Sequence, residues 1–117
     1  MLIRVDRDSP MGLADQIANQ VRGALTSGRL EPGGKLPPAR ELATGLDVNM
    51  HTVLRAYAAL RDEGLVELRR GRGAHVRSDV DPRAVGIEEQ IKNLVASAER
   101  LGMSRDQLVR RILAVPA

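Results

Sequence analysis

Residues 48–57 read VNMHTVLRAY, and the reading of this stretch decides the fold. Asn49 is a favoured N-cap, able to accept a hydrogen bond from the backbone N–H of His51 or Thr52. Val53, Ala56, Tyr57 and Leu60 follow at spacings of three and four, the period of a helix with one buried face, until Gly64 closes it. The spacing predicts a helix over 49–62. Just upstream, ARELATGL predicts a two-turn helix from about 38 to 45, with Pro38 suited to its first turn. In that helix Leu42, Ala43 and Leu46 face inward and Gly45 can end it. Two helices joined by a tight turn are a helix-turn-helix pattern, a fold that docks its second helix in a DNA major groove by the N-terminal residues. Met50 and His51, in the first turn, do no capping work.

Working outward, MGLADQIANQVRGALTSG places Leu13, Ile17, Val21, Ala24 and Leu25 at helical spacing, which predicts a first helix over roughly 11–27 stopped by Gly28. LEPGGKLPP breaks any helix and predicts an extended, turning segment with a short strand around Lys35 and Leu36. Downstream of Gly64, Val66 and Leu68 alternate, RRGRG supplies a turn with two glycines, and Ala74, His75 and Val76 begin a return strand. A hairpin with an arginine-laden tip after a helix-turn-helix is a wing, and inserted arginines suit a minor groove.

From DVDPRAVG the composition changes, so residues 79–86 are expected to be a linker. Ile87, Ile91, Leu94, Ala98 and Leu101 then repeat at 4, 3, 4, 3, a heptad-like seam. After Gly102, Ser104 is expected to cap a last helix with Leu108, Val109, Ile112 and Leu113 apolar. Two short amphipathic helices cannot bury their apolar faces alone. They need the winged domain, a second copy of themselves or both, and Ile87, Ile91, Leu94, Ala98, Leu101, Leu108 and Ile112 are expected to form a dimer interface. The fold class expected is mainly α (α+β). A winged helix-turn-helix domain over 1–78 precedes a linker over 79–86 and a two-helix dimerisation region over 87–117.

Composition narrows the function. At 117 residues, 43% hydrophobic but with one Tyr and no Phe, Trp or Cys, the chain has an aliphatic core and neither disulfides nor thiolate metal sites. No apolar run of membrane-spanning length and no secretory signal appear, which points to a cytoplasmic protein. The net charge is +3, and Lys35 and Lys92 are the two lysines among 18 basic residues, the rest being Arg, the side chain suited to phosphates and guanine edges. Arg69, Arg70, Arg72 and Arg77 fall between Leu68 and Ser78 with no acid among them. His51 and His75 are the two histidines, and no hydrolase, zincin or phosphate-loop motif is present. No enzyme, metal or cofactor is expected.

The run SGRLEPGGKLPPARELATGLDVNMHTVLRAYAALRDEGLVELRRGRGAHV, residues 27–76, resembles the DNA-binding domain of GntR-type bacterial transcription regulators. The matching pattern is a PG turn, LP, an R-x-L-A helix, N-x-x-T-V in the recognition helix, L-x-x-x-G-L-V and a G-x-G wing. The R-A-Y variant and the two-helix tail resemble the YtrA-like subfamily. The resemblance implies a homodimeric repressor acting on a pseudo-palindromic double-stranded DNA operator, with Arg40 and Arg55 at the positions of contacting arginines. Two positions depart from it: Pro38 stands where the family usually has Ser, and Met50 where it often has Arg or Pro.

The candidate DNA contacts are Arg40, Asn49, Met50, His51, Thr52 and Arg55 from the two helices and Arg70, Gly71, Arg72 and Gly73 from the wing. Met50 suits a thymine methyl, the arginines suit phosphate, and Asn49 is first of all a cap. Tyr57 is expected to fill the core, and His75 to be structural or solvent-facing. The competing expectation is a winged helix whose cationic surface binds an acidic protein partner in place of an operator. The tail leaves little room for an effector pocket, so any ligand is expected between subunits.

Overall fold

The computed structural model describes residues 2–117. Five helices and one two-stranded antiparallel sheet follow in the order α1 (Leu13–Thr26), α2 (Ala39–Leu46), α3 (Met50–Asp62), β1 (Val66–Arg69), β2 (Gly73–Val76), α4 (Pro82–Arg100) and α5 (Arg105–Leu113). The fold is mainly α, a winged helix-turn-helix with further helices after the wing. The chain divides into two compact units, one ending at Arg83 and the other Ala84–Ala117.

In the first unit the apolar faces read from the sequence meet in one core. Ile17, Val21 and Leu25 of α1, Val53, Tyr57 and Leu60 of α3, Leu36, and Val66 and Val76 of the hairpin are its largest fully buried side chains. α2 contributes Ala43. It ends one residue later than Gly45 suggested. Asp47 adopts a left-handed conformation (φ 54°), and the N–H groups of Asp47 and Val48 bond back to Thr44 and Ala43. A short polar side chain tolerates that conformation, which is why the stop needs no glycine.

The sheet register pairs Val66 with Val76 and Arg69 with Gly73. Leu68 departs from the simple alternation: Val66 is buried, but Leu68 is exposed although its register partner Ala74 is buried. The expected strand near Lys35 is present as an isolated bridge from Lys35 to His75, supported by Leu36 N–H to Ala74 O (2.9 Å) and Val76 N–H to Gly34 O (2.8 Å). The N-terminal segment, not anticipated as structure, is zipped to α1 by two glutamines. Gln16 bonds the Asp6 N–H and C=O (both 2.8 Å), and Gln20 bonds both backbone groups of Arg4.

The expected linker over 79–86 is corrected at Pro82, where α4 already begins. Asp81 Oδ1 accepts the backbone N–H of Arg83 (2.9 Å), so Asp81-Pro82 is a helix entry, with acceptor and proline at the positions a first turn favours. Gly86 lies inside the helix, where its cost of about 1 kcal/mol is tolerated.

In the second unit Gly102 (φ 73°) turns the chain, and Ser104 opens α5 with a full capping box to Gln107. Of the seam, Ala98 is buried and Leu108 joins it, while Ile87, Ile91, Leu94, Leu101 and Ile112 are exposed, Leu101 to 81%. Leu94, Ala98, Leu101, Met103, Leu108 and Ile112 line an open apolar groove of about 300 Å³. No helix among the described residues is long and apolar enough to cross a membrane.

Candidate nucleic-acid interface

α3 begins as its sequence dictates. Asn49 has extended backbone, and its Oδ1 accepts the His51 N–H at 2.8 Å, satisfying one of the orphan donors of the first turn. Successive residues of a helix are rotated by about 100°, so the buried set Thr52, Val53, Ala56, Tyr57 and Leu60 fixes what remains outside. His51, Leu54 and Arg55 are exposed and Met50 is half-buried. Thr52 is the departure: it is 8% exposed and sits with the core-facing set, away from the face on which it was expected. Leu54 is the opposite case, an apolar residue that helical periodicity did not assign to the core and that stands 39% exposed among the candidate contacts.

The two helices of the motif are held by contacts that the sequence did not reveal. The Tyr57 hydroxyl donates to the Pro37 carbonyl at 2.6 Å, tying α3 to the segment that leads into α2. Burial of the ring raises its pKa from 10.0 to about 12, so the phenol stays protonated and donating. Arg7 donates to the carbonyls of Leu46 (3.2 Å) and Asp47, the C-terminal end of α2 at the turn of the motif. A guanidinium there complements the negative end of the helix dipole. Arg7 is thus a positioning residue, and since the bond spans about forty positions of sequence, no local pattern could have disclosed it.

Arg40, on α2, is exposed and has no ion pair or hydrogen bond among the described residues, and the same holds for Arg55. Two of the nearby acids are engaged elsewhere: Glu63 takes a bidentate bond from Arg22 of α1 (2.6 and 3.0 Å), and Asp62 pairs with Arg61. The exposed Glu41, next to Arg40 in sequence, makes no ion pair with it.

In the wing, Arg69 O accepts the Arg72 N–H at 3.0 Å, closing a tight turn with Gly71 (φ 77°) at the position that a type II turn reserves for positive φ. Gly73, also at positive φ, starts β2. The four clustered arginines are not equivalent. Arg69 is paired with Glu67 (2.8 Å) and Arg77 with Asp79 (2.9 Å), the two acids just beyond the ends of the acid-free run. The hydrogen bond from Arg77 holds the Asp79 carboxyl below its ordinary pKa and raises that of Arg77 in turn, so both remain ionised and their charges cancel locally. Arg70 and Arg72, at the tip, are exposed and without partners among the described residues. His75 is part-buried in β2 with an unpartnered Nδ1, off the exposed surface of the wing.

A family model for bacterial regulatory proteins of the gntR family matches residues 13–76. The chain is 34% identical to the HTH-type transcriptional repressor YtrA of Bacillus subtilis (strain 168), an alignment covering 99% of this chain and 93% of that one. Among solved structures it is similar to YtrA from Sulfolobus acidocaldarius, a GntR-family transcription factor, at TM-score 0.63 and 38% identity, covering 82% of this chain and 99% of the other. It also shares its fold with the DNA-binding domain of AraR, solved in complex with operator ORX1, at TM-score 0.56 and 24% identity, covering 64% of this chain and 95% of that domain.

Proposed function

We propose, for a chain that belongs to the gntR family of bacterial regulatory proteins, that it acts as a homodimeric repressor on a pseudo-palindromic operator. As a member of that family it is a transcription regulator related to YtrA. In the proposed complex α3 enters the major groove by its first turns, Arg40 and Arg55 meet phosphates, His51 meets phosphate or a base edge, and Arg70-Gly71-Arg72-Gly73 lies at the minor groove. Asn49 serves as the cap that orients this turn, and Thr52 as its support from the core side.

The observation that carries this reading is the set of free guanidiniums gathered on the elements that such folds bring to DNA. Arg40, Arg55, Arg70 and Arg72 are unpaired among the described residues, and they stand on α2, α3 and the wing tip, the elements such folds bring to DNA. Of the other arginines, Arg22, Arg77 and Arg83 are each held by an acid. Arg4, Arg110 and Arg111 also lack an acid partner among the described residues but lie outside the helix-turn-helix and wing. The AraR domain of the same fold is bound to operator DNA, which supports the same use here. Repression follows the named activity of the B. subtilis relative.

Dimerisation is supported by the exposed Ile87, Ile91, Leu94, Leu101 and Ile112, large apolar side chains that a second copy would remove from water. Ala98 and Leu108, already buried, would form the base of that interface. An operator reader acts where the chromosome lies, in the cytoplasm. The test is a gel-shift titration of the full chain against its own promoter and a scrambled duplex at moderate salt. Preference by about 10³ or more supports the reading, and equal affinity overturns it. Leu94→Asp with Leu101→Asp is expected to give monomers by light scattering and weaker operator binding; a persistent dimer refutes that part.

A further inference from the structure

Between residues 13 and 67 every large aliphatic side chain except one is buried or half-buried, and the exception is Leu54. It is not surplus from the core, because the inward face of α3 is already filled by Val53, Ala56, Tyr57 and Leu60. Met50, half-buried, precedes it by four residues, and Ala58, half-buried, follows by four. Residues four apart on a helix are surface neighbours, so these three form a narrow apolar line up the helix from its capped end. The exposed His51 and Arg55 follow Met50 and Leu54 directly in sequence, so a polar line runs beside the apolar one.

We propose that Met50 and Leu54 form an apolar ridge that selects thymine at defined positions of the operator by packing on its 5-methyl group. This rests on the docking of α3 in the major groove proposed above. The base edges displayed in that groove are hydrogen-bond donors and acceptors, with the thymine methyl as the alkyl group among them. A ridge of two aliphatic side chains therefore has one complementary partner in the groove. Arg55 beside it and Arg40 on α2 supply the positive charge that a duplex requires and that an apolar protein surface would not match. Met50, unbranched and adaptable, reaches from the capped turn, and Leu54 makes the stiffer contact one turn on.

The experiment removes the methyl group alone. The full chain selects duplexes from a random-sequence library, and each dT of the selected half-site is then replaced singly by deoxyuridine. The expected result is one or two positions at which uracil weakens binding by about fourfold, the equivalent of one buried methyl. At such a position Leu54→Ala or Met50→Ala should bind the dT and dU duplexes alike. Leu54 is exposed, so Leu54→Ala should retain the thermal midpoint of the parent chain. A parent chain that prefers its selected sites yet shows no uracil penalty overturns the ridge while leaving operator binding intact. A penalty that persists undiminished in both variants overturns it as well. A parent chain with no sequence preference at all overturns operator recognition, and the ridge with it.

Discussion

Replacing Arg70 and Arg72 together by alanine is expected to flatten the salt dependence of DNA binding, whereas removing the neighbouring pair Arg77 and Asp79 is not. Each phosphate neutralised by a side chain contributes about 0.9 to the slope of log affinity against log salt. Loss of the two unpaired wing guanidiniums should lower that slope by about 1.8 per subunit. Between about 50 and 200 mM salt, the parent chain should then lose roughly twelvefold more affinity per subunit than the variant. Arg77→Ala with Asp79→Ala deletes a hydrogen-bonded ion pair (2.9 Å) whose charges already cancel, so it leaves the net charge and the expected slope unchanged. Fluorescence anisotropy of a labelled operator duplex at four or five salt concentrations reads both slopes. Equal flattening by the two double variants would refute the reasoning, because it would mean that the Arg77–Asp79 pair opens on binding and that pairing in the free protein does not decide which arginines meet DNA.

Two further outcomes follow from contacts within the motif. Tyr57→Phe removes the hydroxyl that donates to the Pro37 carbonyl and should cost about 1–2 kcal/mol, a fall in thermal midpoint of about 5–10 °C by calorimetry. The raised phenol pKa adds a pH signature: its stabilisation is complete below pH 10.0 and is lost as pH rises toward about 12, because the unfolded chain deprotonates first, and Tyr57→Phe should lack this loss. An alkaline unfolding profile identical in the two proteins would contradict it. Arg40→Ala should weaken operator binding by about ten- to a hundredfold with the thermal midpoint unchanged, since the side chain is exposed and unpaired. An unchanged titration would remove Arg40 from the interface.

The order of elements was legible from local signals because those signals are local in origin. A cap, an apolar period and a glycine stop act within one or two turns, and α1, α2, α3 and the hairpin appear within a residue or two of where they were expected. The linker misled because Asp-Pro both breaks one element and begins another; which role it plays depends on whether Asp81 finds the Arg83 N–H. Thr52, a candidate contact, is placed by its angular position beside Val53 and Ala56, which carries it inward. Leu54 was missed because helical spacing selects the residues that must be inside and says nothing of an aliphatic residue left outside.

By itself, then, the sequence determined that this is a mainly α winged helix-turn-helix chain with a cationic hairpin, because periodicity, capping and turn chemistry are properties of neighbouring residues. Which charges are engaged became visible only once the chain was folded. Glu63 lies forty-one residues from Arg22 and yet holds it, and Arg7 crosses a similar span to cap α2. At the wing the pairing is local instead: Arg69–Glu67 and Arg77–Asp79 join residues two apart, and they reduce four arginines to two that are free. Ion pairing depends on distance in space, and the folding of the chain sets that distance, so a count of arginines became a charge pattern only once the acids had been placed beside them.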